Sequence, residues 1–134
     1  MIDNKDILEK NIELHRKEAP IYDIVHPQIT NFHHSRKTNN DINFIMSAFK
    51  NKDNIKILEL GCGTGYLTIK FAQKNANIKA IDMSEDMTGV LKKKLQENDK
   101  KNVIIIHSEI NNFLKSYVDA AERFLNRLKG VIDP

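Results

Sequence analysis

Before Ile55 the apolar residues of this chain recur at helical intervals; after it they come in short unbroken runs separated by amphipathic stretches. Ile7, Leu8 and Ile12 share one face of a helix predicted over residues 4–18, which should end before Pro20. Residues 19–40 carry Pro20 and Pro27 and no sustained period, which predicts a loop with one short helix. Ile42, Ile45, Met46 and Phe49 then fall at i, i+3, i+4 and i+7, the stripe of a helix of about three turns.

From Ile55 the period changes. IKILEL (55–60) is apolar and β-branched enough for a strand; it runs into three glycines and then a predicted helix over 66–74. IKAID (78–82) is a second strand, and Met87, Val90, Leu91 and Leu95 mark one face of a helix that follows Ser84, a natural N-cap. VIIIH (103–107) is a third strand, apolar almost throughout, as expected of a strand buried on both faces. A last helix after Asn111 gathers Tyr117, Val118, Ala121, Phe124, Leu125 and Leu128 on one side and is expected to stop at Gly130. Strands joined by helices of this length predict parallel βαβ crossovers, hence an α/β fold.

Hydrophobic residues make up 40% of the chain and charged residues 29%, the balance of a water-soluble globular domain. No apolar run approaches the ~20 residues of a membrane span, and MIDNKDILEK has neither the basic nor the apolar part of an export signal, so no membrane association is expected. Cys62 is the sole cysteine and has no intramolecular disulfide partner, which suits a reducing compartment and predicts a cytoplasmic protein. The net charge of +3 is spread through the chain except at Lys92–Lys94 and Lys100–Lys101. A nucleic-acid footprint calls for a more concentrated basic face, so no nucleic-acid partner is expected, and Lys92–Lys94 are assigned to the solvated arc of their helix. His26, His33 and His34 have neither the i, i+4 pairing nor the Cys/His grid of a metal site, so no metal is expected.

The candidate chemistry lies in Glu59-Leu60-Gly61-Cys62-Gly63-Thr64-Gly65, where a strand hands over to a helix. Ligands of open α/β sheets collect at the carboxyl ends of the strands. Glycines there reach backbone angles closed to other residues and let a ligand lie against the main chain, while free amides at the helix start suit an anion. A dinucleotide fingerprint needs its third glycine where this chain has Tyr66, and the lysine of a phosphate-gripping P-loop is missing.

ILELGCGTGYLT resembles the first motif of the class I S-adenosylmethionine-dependent methyltransferases, an acidic residue followed by G-x-G-x-G. IDMSEDM is similar to that family's second motif and HSEI (107–110) to its third, so the resemblance covers roughly residues 55–112. It implies a Rossmann-like methyltransferase fold, a parallel sheet with flanking helices, of which three strands are readable. It also implies S-adenosylmethionine as cofactor. Asp82 would accept hydrogen bonds from both ribose hydroxyls, a geometry a carboxylate suits. Met83 would pack on the adenine, Glu109 would receive the adenine amino group and Ile110 would lie near the ring. Glu59 would sit beneath the loop, with the backbone of Gly61, Cys62, Gly63 and Gly65 along the methionine part of the cofactor. Tyr22, His26 and Arg36 are candidates to reach the cofactor or a substrate from the N-terminal segment.

On this reading residues 1–54 form an N-terminal helical cap segment and 55–134 a partial S-adenosylmethionine-binding core. The expected activity is methyl transfer to a small-molecule acceptor, with no catalytic residue assignable; the alternative is an inactive cofactor-binding or structural domain derived from a methyltransferase. Cys62 is expected to be a small loop residue rather than a nucleophile. The family's sheet has seven strands, so the chain is expected to be truncated near Pro134 and to have lost its fourth-strand region near Lys115–Tyr117. A second copy of the chain or a partner subunit is the candidate to complete the sheet.

Overall fold

A computed structural model describes residues 4–49 and 54–132. The elements run α1 (Asn4–Glu18), α2 (Tyr22–Val25), α3 (Pro27–Thr30), α4 (Phe32–Ser47), β1 (Lys56–Leu60), α5 (Tyr66–Ala72), β2 (Asn77–Asp82), α6 (Glu85–Lys94), α7 (Glu97–Lys100), β3 (Val103–His107) and α8 (Ile110–Ile132). The three strands pair in parallel in the order β1-β2-β3. Ile57 lies opposite Ile78, which lies opposite Val103; one step from the carboxyl end, Leu60, Ile81 and Ile106 form another such row. This is the α/β architecture that the alternating pattern after Ile55 predicts.

Because side chains alternate across a strand, this register sorts the residues into two faces. Ile57, Ile78, Ala80, Val103 and Ile105 share one face and pack with Ile42 and Met46 of α4, Ala72 after the glycine loop, and Leu91 and Leu95 at the end of α6. Each large side chain fully buried there contributes roughly 1.5–3 kcal/mol of transfer free energy. On the opposite face Leu58, Lys79 and Ile104 are exposed, whereas Ile81, nearer the carboxyl ends of the strands, is fully buried. The α8 helix reaches that face through Tyr117, whose hydroxyl accepts a hydrogen bond of 2.7 Å from Lys79 Nζ. Phe113 is the buried aromatic of that helix, whereas Val118, Phe124 and Leu125 stay exposed.

Several expectations are corrected. Residues 19–40 are not a loop with one short helix: they hold α2, α3 and the first half of α4, a helix of 16 residues. Asn31 starts that helix by accepting hydrogen bonds from the amides of His33 (2.9 Å) and His34 (3.4 Å). Its first turns face mostly solvent, so they needed no apolar period to be helical. The third strand is not buried on both faces, since Ile104 is 57% exposed where α8 leaves the sheet uncovered. Gly130 does not end the last helix, which runs on to Ile132. The side chain of Leu128, the turn at Pro134 and the boundary segment 50–53 lie outside the described residues.

The unequal faces give a direct expectation. Ile78→Ala should cost about 2–5 kcal/mol of unfolding free energy, the usual range for truncating a buried aliphatic residue. Ile104→Ala, on the open face, should cost less than about 1 kcal/mol. Urea titrations of the two variants followed by circular dichroism check the contrast.

Candidate functional site

The glycine loop is shaped by the end of the neighbouring strand. As β1 finishes at Leu60, the amides of Gly61 (2.8 Å) and Cys62 (3.0 Å) both donate to the carbonyl of Ile81 in β2. The amide of Gly63 donates to Asp82 Oδ2 at 2.8 Å, and that of Gly65 to the carbonyl of Cys62 at 2.9 Å. Four loop amides are therefore taken within the protein. The expectation of free amides awaiting an anion does not hold for them; what these positions offer a ligand is shape.

That shape depends on backbone angles. Gly65 has φ +85°, and a Cβ there would stand 2.1 Å from Leu91 Cδ1, so only glycine lets the loop close on α6. Gly61 and Gly63 differ: a Cβ on either would meet no atom within 4 Å, so their outer side is open space.

Asp82 ends β2 with its side chain buried. One oxygen accepts from Gly63 and the other from the amide of Ser84 at 2.8 Å. Ser84 in turn accepts from Met87 through its hydroxyl at 3.2 Å, capping α6. A carboxylate has about four acceptor positions, so these two bonds leave capacity for two more donors. Asp82 thus both joins loop to helix and keeps acceptor positions for a ligand.

The remaining expected site residues divide. Glu59 sits under the loop and accepts a hydrogen bond of 2.5 Å from Thr68 Oγ1 of α5. Burial pushes its carboxyl up from the ordinary range, against the Thr68 hydrogen bond and with the help of the Asp82 charge. Cys62 is buried and its thiol is pushed up to about 12 by burial and by Asp82 and Glu59, so it stays protonated at neutral pH and is no nucleophile. Met83 is half-buried, and its carbonyl meets His107 Nε2 at 3.0 Å. The structure therefore brings Glu59, Gly61, Cys62, Gly63, Gly65, Asp82 and Met83 together at the carboxyl ends of β1 and β2. Glu109 and Ile110 stand apart at the end of β3, both exposed, with the Glu109 carboxylate accepting from Asn112 at 3.3 Å. The backbone between them is nonetheless joined, since the amide of Ser108 donates to the carbonyl of Asp82 at 2.9 Å.

From the N-terminal helices, the rings of Tyr22 and His26 meet at a tilt of 37° with centroids 3.9 Å apart, and Arg36 lies exposed on α4. The residue that reaches the loop is Asp23. Its Oδ1 accepts from Thr64 Oγ1 at 2.6 Å and its Oδ2 from Lys94 Nζ. Lys94 also donates to the carbonyl of Thr64 at 3.2 Å. Burial alone would raise the Asp23 carboxyl, but the bonds from Lys94 and Thr64 outweigh it and hold it below its ordinary value. Lys94 is thus half-buried in an ion pair, which corrects its assignment to the solvated arc; Lys92 and Lys93 are exposed. Nothing local in the sequence marks this pair, because Asp23 falls in a stretch without period and Lys94 in a lysine run.

Comparison with known proteins decides the family. A family model described as a methyltransferase domain matches residues 51–125, more than half of the chain. The chain belongs to that methyltransferase-domain family. It is similar to the malonyl-[acyl-carrier protein] O-methyltransferase of Priestia megaterium, with 36% identity over 97 residues, covering 71% of this chain and 32% of the relative. A probable ribosomal RNA small subunit methyltransferase A of Methanosphaera stadtmanae is 30% identical over 110 residues, covering 81% of this chain and 36% of the relative. A solved structure of a DhpI–SAH complex superposes with a TM-score of 0.58 at 19% identity, over 79% of this chain and 47% of that one, and shows the Rossmann-like methyltransferase fold. The chain spans about a third of the length of the two curated relatives.

One expectation falls here. A small-molecule acceptor with nucleic acid excluded is not tenable for a methyltransferase domain 81% of which matches part of a protein named for ribosomal RNA. The charge argument weighed only residues that match about a third of that relative's length. Among the described residues, no helix is long and apolar enough to cross a membrane.

The Glu59 environment yields a pH test. Its folded-state pKa is raised above 4.5, so its contribution to stability is complete below that value and is lost as pH rises through the folded value. Glu59→Gln keeps an acceptor for Thr68 without the charge. The stability of the native sequence relative to Glu59→Gln should therefore fall as pH rises from acid to neutral, measured by urea denaturation across a pH series.

Proposed function

We propose that this chain carries the S-adenosylmethionine site of a methyltransferase and presents the cofactor to an acceptor at the carboxyl ends of the strands. The observation that carries this reading is the meeting of Gly63 and Asp82: the glycine loop after β1 is tied at 2.8 Å to a buried carboxylate that retains acceptor capacity. A ribose diol supplies two donors to such a group. The open space over Gly61 and Gly63 suits the methionine part of the cofactor, which would lie there against main chain rather than side chains.

When bound, the cofactor's sulfonium supplies an already activated methyl group. The chain's own task is then alignment of the acceptor with that methyl group, and no residue is assigned as a general base. Asp82 would hold the ribose, Met83 would flank the adenine, and Glu109 with Ile110 would close around its edge from the end of β3. Glu59 would support the loop from below through Thr68. Residues 1–54 would act as the helical cap and 55–134 as the cofactor core. A buried, unpaired Cys62 suits a cytoplasmic location.

Isothermal titration with S-adenosylmethionine, its demethylated product and NAD tests the assignment. The first two should bind and NAD should not; binding of NAD alone would refute it. Asp82→Ala, with folding checked by circular dichroism, should weaken S-adenosylmethionine binding at least about tenfold, the effect of removing a hydrogen-bonded charged acceptor.

A further inference from the structure

We propose that Asp23 and Lys94 are positioning residues for the cofactor loop, forming a latch that fixes Thr64 from outside the core. The inference rests on the cofactor reading above but adds residues from two other elements to it. Thr64 stands between Gly63 (φ +53°) and Gly65 (φ +85°), two residues whose backbone freedom would otherwise leave it loosely held. It is instead nearly fully buried and gripped at both ends. Its hydroxyl donates to Asp23 Oδ1 at 2.6 Å, and its carbonyl accepts from Lys94 Nζ at 3.2 Å. Asp23 and Lys94 also bond directly, which closes a triangle linking α2, the glycine loop and the last turn of α6.

The arrangement is more than a surface pair. The side chains of Asp23 and Lys94 are only 31% and 30% exposed, whereas another tie between the N-terminal helices and α6, Arg16 to Asp86 at 3.4 Å, joins side chains 69% and 45% exposed. Exposed pairs of that second kind contribute little. A partly desolvated pair sharing a third partner gains more from the lower local dielectric, and its members depend on one another. Its placement matters as much as its strength. Asp82 fixes the loop from the inner side through Gly63, and the latch fixes the next residue from the outer side. A loop set from both sides before the ligand arrives loses less freedom on binding, which is preorganisation.

The test uses amide hydrogen exchange of the free chain together with calorimetric titration of S-adenosylmethionine. Asp23→Ala and Lys94→Met should each speed exchange at the Gly63 and Gly65 amides about tenfold and weaken cofactor binding by a similar factor, as loss of one charge-assisted bond would. The double variant should be no worse than either single one, because the residues act as a unit. Lys94→Arg should restore most of the affinity, and Arg16→Met should leave loop exchange as it is. If Asp23→Ala fails to fold, Asp23→Asn retains an acceptor for Thr64 while losing the ionic arm, and should show the same exchange pattern. Unchanged loop exchange, or exchange raised equally in β2 and the loop, would overturn the latch. A native chain that binds no S-adenosylmethionine would defeat the cofactor reading instead, and the exchange pattern would still decide the latch.

Discussion

The arrangement of the site rests on one carboxylate. Asp82 is buried at the end of β2, and a buried carboxylate is tolerated only where donors replace the water it gives up. The amides of Gly63 and Ser84 do this, one from each side. The consequence runs in both directions: the amides make the burial of Asp82 affordable, and Asp82 sets where the glycine loop and the start of α6 stand relative to each other. The carbonyl of Ile81, one residue earlier, takes two further loop amides. Two consecutive residues of β2 thereby determine the course of a loop that belongs to β1.

That coupling explains what was legible from the sequence. The strands and the helices α5 and α6 were readable because each buries a face, and burial leaves a period in the residue pattern. Ser84 was readable as a cap because its side chain serves its own helix. The open outer side of Gly61 and Gly63, against the tight contact of Gly65 with Leu91, was not readable, since all three are glycines in one motif. Only the position of α6 separates a glycine that leaves space for a ligand from one that makes way for a leucine.

Elsewhere the signal failed for equally definite reasons. The first half of α4 faces mostly solvent and starts from a polar cap, so nothing apolar recorded its helix. Ile104 looked like the middle of a doubly buried strand because isoleucine is a good strand former whether or not its face is covered. Gly130 looked like a stop, but a glycine stops a helix only where the backbone is free to turn into the left-handed conformation, and it can equally be carried within one. Asp23 and Lys94 were the hardest to foresee. Their interaction spans 71 positions, and long-range polar contacts leave no local trace.

The two faces of the sheet bear differently on the site. Ile57, Ile78, Ala80, Val103 and Ile105 are covered by α4 and α6, and it is this covered face that also carries Glu59 and Asp82, by the alternation of side chains along β1 and β2. The exposed apolar residues Leu58 and Ile104 belong to the other face. The loop's own supports, Glu59 to Thr68, Asp82 to Gly63 and Ser84, and Thr64 to Asp23, are all made on the covered side or at the carboxyl ends of the strands. None of these bonds passes through Leu58, Ile104 or the exposed stripe of α8. The geometry of the glycine loop is therefore held without Leu58 or Ile104, because the interactions that shape it are local to β1, β2 and the helices packed over them.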